Sequence, residues 1–203
     1  MKNKLFALVT LLLAACSSQN YTTSPDSLTT NPNTGIAVGT ITFEGDIPVN
    51  DLYRFFYSPI SGDKKFKKHN DGKILINGRN DGKSAFNGDF NDKKTYLIVI
   101  EGKPGTYAFT KYNYLDHIGS NGMISNSKDF EIPFEVKKGG ITYIGEFTYV
   151  DKAEPGSPRI YVTDRMERDI KEFEKKYPDL DWDKVINSTP KSGKDGGGII
   201  SFM

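Results

Sequence analysis

The sequence predicts a mainly β protein, an antiparallel β-sandwich with one C-terminal amphipathic helix. Three observations predict it. Apolar residues fall in short runs separated by Gly, Asn, Asp and Pro, the punctuation of strands joined by tight turns. Only the stretch from Met166 to Tyr177 has clear helical spacing instead. Thirteen Phe and eleven Tyr supply the large side chains of a core. Many short strands with little helix favour two packed sheets.

Ile36 to Phe43 is the first strand. Tyr53 to Tyr57 is the second, with Tyr53, Phe55 and Tyr57 on one face as a period of two requires. Lys73 to Ile76 is short. Tyr96-Leu97-Ile98-Val99-Ile100 is uninterrupted apolar sequence and reads as a strand covered on both sides. Pro104-Gly105 turns the chain into Thr106 to Tyr112. Asp129 to Val136 alternates, with Phe130, Ile132, Phe134 and Val136 inward. Pro133 on the outward side places this strand at an edge or a bulge, because proline has no N–H to give to a ladder. Gly139-Gly140 leads into Ile141 to Val150, with Ile141, Tyr143, Phe147 and Tyr149 assigned to one side. Arg159 to Thr163 is expected as the last strand. Asn70-Asp71-Gly72-Lys73 and Asn80-Asp81-Gly82-Lys83 repeat one turn signature. These residues tolerate positive φ, so each copy predicts a hairpin.

In the helix, Met166, Ile170, Phe173 and Tyr177 share a face. Asp164 is the expected cap, with Glu167 three residues on as in a capping box. Glu167–Lys171 and Glu172–Lys176 are favourable pairs on the wet side, and Pro178 stops the helix. Asp181 starts a short turn carrying Trp182, Val185 and Ile186. The sandwich with its helix is thus expected over residues 35–187. A Gly- and Lys-rich tail, 188–203, comes after it, with an apolar end that frays or docks.

The N-terminus carries a different signal. Lys2 and Lys4 precede an uncharged run from Leu5 to Leu13, the length of a signal-peptide core and too short to span a bilayer. Leu13-Ala14-Ala15-Cys16 then resembles a lipobox, and Cys16 is the only cysteine. The resemblance to bacterial lipoproteins implies removal of residues 1–15, diacylglycerol on the Cys16 sulfur and usually a third chain on the new amine. Two or three long chains make a stable anchor where one would not. Ser17 stands where the inner-membrane retention signal of Gram-negative lipoproteins has Asp, which implies the outer membrane; the face of that membrane is left open. Residues 16–34 are rich in Ser, Thr, Asn and Pro and read as a lipidated flexible tether.

Removing residues 1–15 takes two of the 27 basic residues, leaving 25 against 26 acidic, a formal charge of −1. A near-neutral chain argues against nucleic acid as a partner. With Cys16 acylated no thiol remains for a disulfide, a cysteine metal site or a thiol nucleophile. Tyr96 to Ile100, Pro104-Gly105-Thr106-Tyr107 and Phe134 to Gly145 also resemble the small sandwich domains of transthyretin-like and carboxypeptidase-regulatory type found in bacterial lipoproteins. That resemblance implies a binding or structural module more than an enzyme.

Candidate chemistry is sparse. His117 follows Asp116, with Ser120 and Ser125 nearby. A triad needs its acid at a separate position, and no Gly-x-Ser-x-Gly elbow occurs. Asn87-Gly88-Asp89-Phe90-Asn91-Asp92 resembles a calcium loop but lacks Gly at the sixth position and Glu at the twelfth, where Ile98 stands. Gly193-Lys194 is followed by Asp195 and is no P-loop. Neither a catalytic set nor a metal or cofactor site is therefore assigned. Lys64, Lys65, Lys67 and Lys68, in a Lys-rich loop, are candidates for headgroup contact. Tyr112, Asn113, Tyr114 and Asn121 are the candidate ligand-binding loop, because rings stack on sugar faces while amides bond hydroxyls. The expected function is a lipid-anchored, non-enzymatic module contacting the membrane and an envelope protein or glycan. The alternatives are a small envelope hydrolase using His117 and a surface-exposed adhesin.

Overall fold

The computed structural model describes residues 23–118 and 121–203. The signal-peptide and lipobox assignments, including Leu13, Ala14, Ala15 and Cys16, lie outside the described residues, as does Ser120.

The fold is a β-sandwich whose central sheet is covered on both sides. In chain order the elements are β1 (Gly35–Glu44), β2 (Leu52–Pro59), α1 (Lys64–His69), β3 (Gly72–Asn77), β4 (Arg79–Asn80), β5 (Lys83–Ser84), β6 (Thr95–Gly102) and β7 (Gly105–Ile118). Then come β8 (Asn121–Asn126), β9 (Ile132–Val136), β10 (Ile141–Val150), β11 (Ile160–Thr163), α2 (Met166–Lys176), a 3₁₀ turn (Trp182–Lys184), β12 (Ile186–Asn187) and β13 (Ile200–Phe202). The central sheet runs β13-β11-β10-β1-β6, with β12 beside β10. The outer sheet runs β3-β2-β7-β8, with β9 also on β7, and β4-β5 is a separate hairpin.

The outer sheet pairs antiparallel throughout. The central one is mixed: β1–β10, β10–β12 and β11–β13 are parallel. Strands buried on both faces read as continuous apolar runs, and β1 is buried along its length except at Glu44. One face of the central sheet meets the outer sheet through Ile41, Phe43, Ile98, Phe147 and Tyr149, against Tyr53, Phe55, Tyr107, Phe109 and Phe134. The other face meets α2 and the 3₁₀ turn through Ile36, Val38, Leu97, Ile141 and Tyr143, against Ile170, Phe173, Tyr177 and Trp182. The edge position of Pro133 holds, since among the described strands β9 pairs only with β7.

Several expectations change. Ile141 and Tyr143 face the helix, whereas Phe147 and Tyr149 face the outer sheet. A bulge opposite Val38/Thr40 puts an extra residue into β10, and each such insertion moves the residues beyond it to the other face. Gly145, at φ +101°, occupies the bulge, and an added Cβ would stand 3.1 Å from Thr189 Cγ2 and 3.3 Å from the Thr163 carbonyl oxygen. Gly145→Ala is therefore expected to cost about 1–3 kcal/mol, read as a lower urea midpoint.

Asp81 (φ 50°) and Gly82 (φ 73°) form the predicted hairpin between β4 and β5. Asn70 instead ends α1. The lysine-rich loop is a short helix, capped by Asp63 Oδ1 accepting from Phe66 N at 2.7 Å, and it links β2 to β3. At α2, Asp164 accepts from Met166 N at 3.0 Å, but Arg165 holds the cap position with no side-chain bond, and the capping box does not form. Lys176 bonds Ser24 and Asp89 rather than Glu172, which pairs with Lys175.

Both ends of the chain's described part dock. Val99 N donates to the Thr23 carbonyl at 2.9 Å, Tyr177 Oη donates to the Pro25 carbonyl at 2.5 Å, and Leu28 is buried. Of the tether read over 16–34, residues 23–34 thus lie on the body. The tail docks through its apolar end, so β13, paired with β11, is the last strand rather than Arg159 to Thr163.

Candidate functional site

Asp51 and His117 meet at one end of the outer sheet. Asp51 immediately precedes β2 and His117 is near the end of β7; Leu52 pairs with Leu115, which brings the two together. Asp51 Oδ2 lies 2.5 Å from His117 Nδ1 and accepts from the His117 backbone N–H at 3.0 Å. Asp51 Oδ1 accepts from Arg79 Nε at 3.2 Å, and the Arg79 guanidinium also bonds Asp116. The backbone fixes the same corner: Asp51 N donates to the Leu115 carbonyl at 2.9 Å, and Gly78 N to the Asp51 carbonyl at 2.8 Å. Asp51, Arg79, Asn80, Asp81, Gly82 and His117 line a polar cleft of about 520 Å³.

The hydrogen bond from the His117 ring holds the Asp51 carboxyl below the usual carboxylate range, against its partial burial, and the His117 N–H and the Arg79 charge add to it. A carboxyl lowered in the folded state stabilises above the unfolded-state pKa, and that stability is lost as pH falls through the folded value. Asp51→Asn is expected to flatten the acid limb of stability against pH. Urea midpoints taken downward from neutral pH check it, and a limb as steep as the wild type's would overturn it.

The acid that orients His117 is therefore Asp51, sixty-six positions away, not its neighbour Asp116. With Nδ1 engaged, Nε2 is left to act as base or acid. No serine hydroxyl is hydrogen-bonded to His117 among the described residues; Ser125 stands opposite Tyr114 on β8.

The candidate ligand residues are not a loop and do not converge. Tyr112 is buried among core rings, at 5.3 Å from Tyr149 and 6.1 Å from Phe130; it offers no plate to a sugar. Tyr114 is half-buried against the same core. Asn113 lies on the opposite face of β7, bonded to Asn126 and Arg54. Asn121 is exposed at the start of β8. A bulge in β7, opposite Phe56/Tyr57, sets Phe109 and Tyr112 on one face. Lys64, Lys65, Lys67 and Lys68 do cluster, all exposed, on α1.

The calcium-like loop is committed elsewhere: Asp89 Oδ2 accepts from Leu97 N at 2.8 Å and Oδ1 from Lys176 Nζ at 2.7 Å. Among the described residues no group of three or more His, Cys, Asp and Glu is placed to hold a metal.

A buried polar network between β1, β10 and α2 escaped the sequence reading. Asp169 is fully buried and accepts from Thr40 Oγ1 at 2.8 Å, Tyr143 Oη at 2.7 Å and Arg168 Nε at 2.8 Å. Arg168 continues to Glu146 at 2.7 Å, which also accepts from Thr42 at 2.7 Å and Thr163 at 3.2 Å. Burial pushes the Asp169 carboxyl up despite these donors. Burial also opposes the Glu146 charge, but Thr42 and Arg168 outweigh it and hold that carboxyl down. The available signal was Asp169 within the apolar stripe of α2, three residues after Met166 and four before Phe173.

No protein-family model matches the chain, and no curated protein matches it. A leucine-rich repeat protein from Bacteroides thetaiotaomicron VPI-5482 is a structural match at 10% identity and a TM-score of 0.31. The match covers 60% of this chain and 14% of that one, a likeness too slight to carry an argument.

Proposed function

We propose that the protein is a lipid-anchored lipoprotein of the bacterial outer membrane whose body is a non-enzymatic binding or structural module, contacting an envelope protein or glycan. The carrying observation is the order of charge, apolar run, small residues and sole cysteine that ends at Cys16. The body is consistent with a module: the space between its sheets is filled by aromatic rings. Labelled palmitate fed to cells should enter the wild-type protein and not Cys16→Ser. Label retained by the serine variant would sink the anchor. Crosslinking in intact envelopes should capture a partner protein or glycan; a body that stays uncaptured speaks against a binding role.

The Asp51–His117 geometry favours one second reading, a hydrolase using His117. It requires a serine nucleophile from beyond the described residues, and an inert protein across an ester panel rejects it.

A further inference from the structure

We infer that the solvent face of the outer sheet docks on anionic lipid headgroups of the membrane that carries the anchor; this rests on the Cys16-anchored reading above. The strand registers lay out three rows across this face. The first is Asn77, Leu52, Leu115 and Ile124; the second is Leu75, Arg54, Asn113 and Asn126; the third is Lys73, Phe56 and Lys111. None of these residues is acidic; the carboxylates at the β9 end of the sheet, Glu131 and Glu135, pair with Lys194 and Lys137. Leu52, Phe56, Leu75 and Leu115 are half-buried, while Ile124 is 55% exposed. Lys111 stands over the Phe56 ring at 5.1 Å. The α1 lysines continue the positive charge, since α1 joins β2 to β3 at the end where the third row lies.

On the other broad face cations and acids alternate along one helix. There α2 covers the central sheet, and its surface lysines meet carboxylates on the same helix, Lys171 with Glu167 and Lys175 with Glu172. In these three rows apolar side chains framed by long cationic ones match a plane of anionic headgroups over an acyl layer. The site of chain exit permits this contact. Thr23 and Ser24 line one cleft with Leu75 and Asn77 at the β3 edge and with Lys176 of α2, between the two broad faces. Thr23 is seven positions after Cys16, a reach of at most about 25 Å at roughly 3.5 Å per residue. The anchor is therefore within reach of this face and holds the body close to the membrane.

The test uses the acylated full-length protein in vesicles of phosphatidylcholine alone or enriched in phosphatidylglycerol. Ile124→Cys then supplies the one free thiol for a nitroxide, with Lys175→Cys, on α2, as the reference. On phosphatidylglycerol vesicles the probe at 124 should be relaxed more by oxygen than by a water-soluble nickel chelate, and the probe at 175 less. Neutralising the exposed cations by Lys111→Gln and Lys68→Gln should weaken docking roughly fivefold per cation removed while the protein still floats with the vesicles. A probe at 124 that stays aqueous on both lipids overturns the inference. So does one shielded only in native envelopes, which assigns the face to a protein partner. Failure to float at all sinks the anchor instead; the face is then decided by cosedimentation of the unacylated chain with phosphatidylglycerol vesicles, and absence of binding overturns it.

Discussion

Asp169→Ala is expected to remove about 3–5 kcal/mol of stability, the usual consequence of taking one partner out of a buried charge network. The substitution leaves the hydroxyls of Thr40 and Tyr143 buried beside a small void, and Arg168 loses one of its two carboxylates. Urea unfolding should show a lower midpoint with an unchanged slope; a change below about 1 kcal/mol would falsify the assignment. The carboxyl is pushed up because burial outweighs its donors. The sign is then opposite to that of Asp51: the contribution is fully present below the unfolded-state pKa and is lost as pH rises through the folded value. Ionising the carboxyl therefore works against the fold, and its donors offset only part of that cost. Asp169→Leu combined with Thr40→Val and Tyr143→Phe should recover most of the loss, since removing a buried acceptor together with the hydroxyls that donate to it leaves neither unpaired.

That network shows where a sequence stops being legible. Strand positions followed from alternation wherever spacing was regular, as from Phe130 to Val136, and the doubly covered run Tyr96 to Ile100 was readable because it held no polar residue. The one-residue insertion at Gly145 was not, since a glycine inside an apolar run looks the same whether or not it bulges; that error carried Phe147 and Tyr149 to the wrong face. Parallel pairing of β1 with β10 is a contact between segments about a hundred residues apart, and no local pattern encodes it. The same limit hid Asp51 from His117, and Asp169 from Thr40. Composition misleads for the tether and leaves the tail open between fraying and docking. Ser, Thr and Pro around Leu28, and Gly around Ile200, suggest mobility, but one well-placed apolar side chain in each segment is enough to dock it. Tyr112 and Tyr114 looked like plates for a ligand because nothing in the sequence distinguishes a ring turned inward from one turned out.

Phe43→Ala should cost about as much as the loss of Asp169, for a different reason. Phe43 is buried at the centre of a ring cluster, 4.8 Å from Tyr53, 4.9 Å from Phe86, 5.5 Å from Tyr149 and 6.2 Å from Tyr96. Tyr53 belongs to the outer sheet, Tyr149 and Tyr96 to the central one, and Phe86 to the segment after the β4–β5 hairpin. A single side chain thus joins both sheets to the hairpin that bears Arg79. Truncating a buried Phe costs roughly 3–5 kcal/mol in lost transfer energy and in the cavity left behind. Edge and tilted ring contacts add about 0.5–1.5 kcal/mol per pair beyond area, so the upper part of that range is expected. Phe43→Leu should recover more than half, because it restores volume without the ring contacts. Phe86→Ala separates packing from position: if the ring of Phe43 holds the hairpin, the double variant should lose about 0.5–1.5 kcal/mol less than the sum of the two single ones. Strict additivity would mean that the hairpin is held by Arg79 on Asp51 and Asp116 and by the backbone bond from Gly78 to Asp51, not by Phe43. In that case Asp51→Asn, not Phe43→Ala, would loosen the corner where His117 sits.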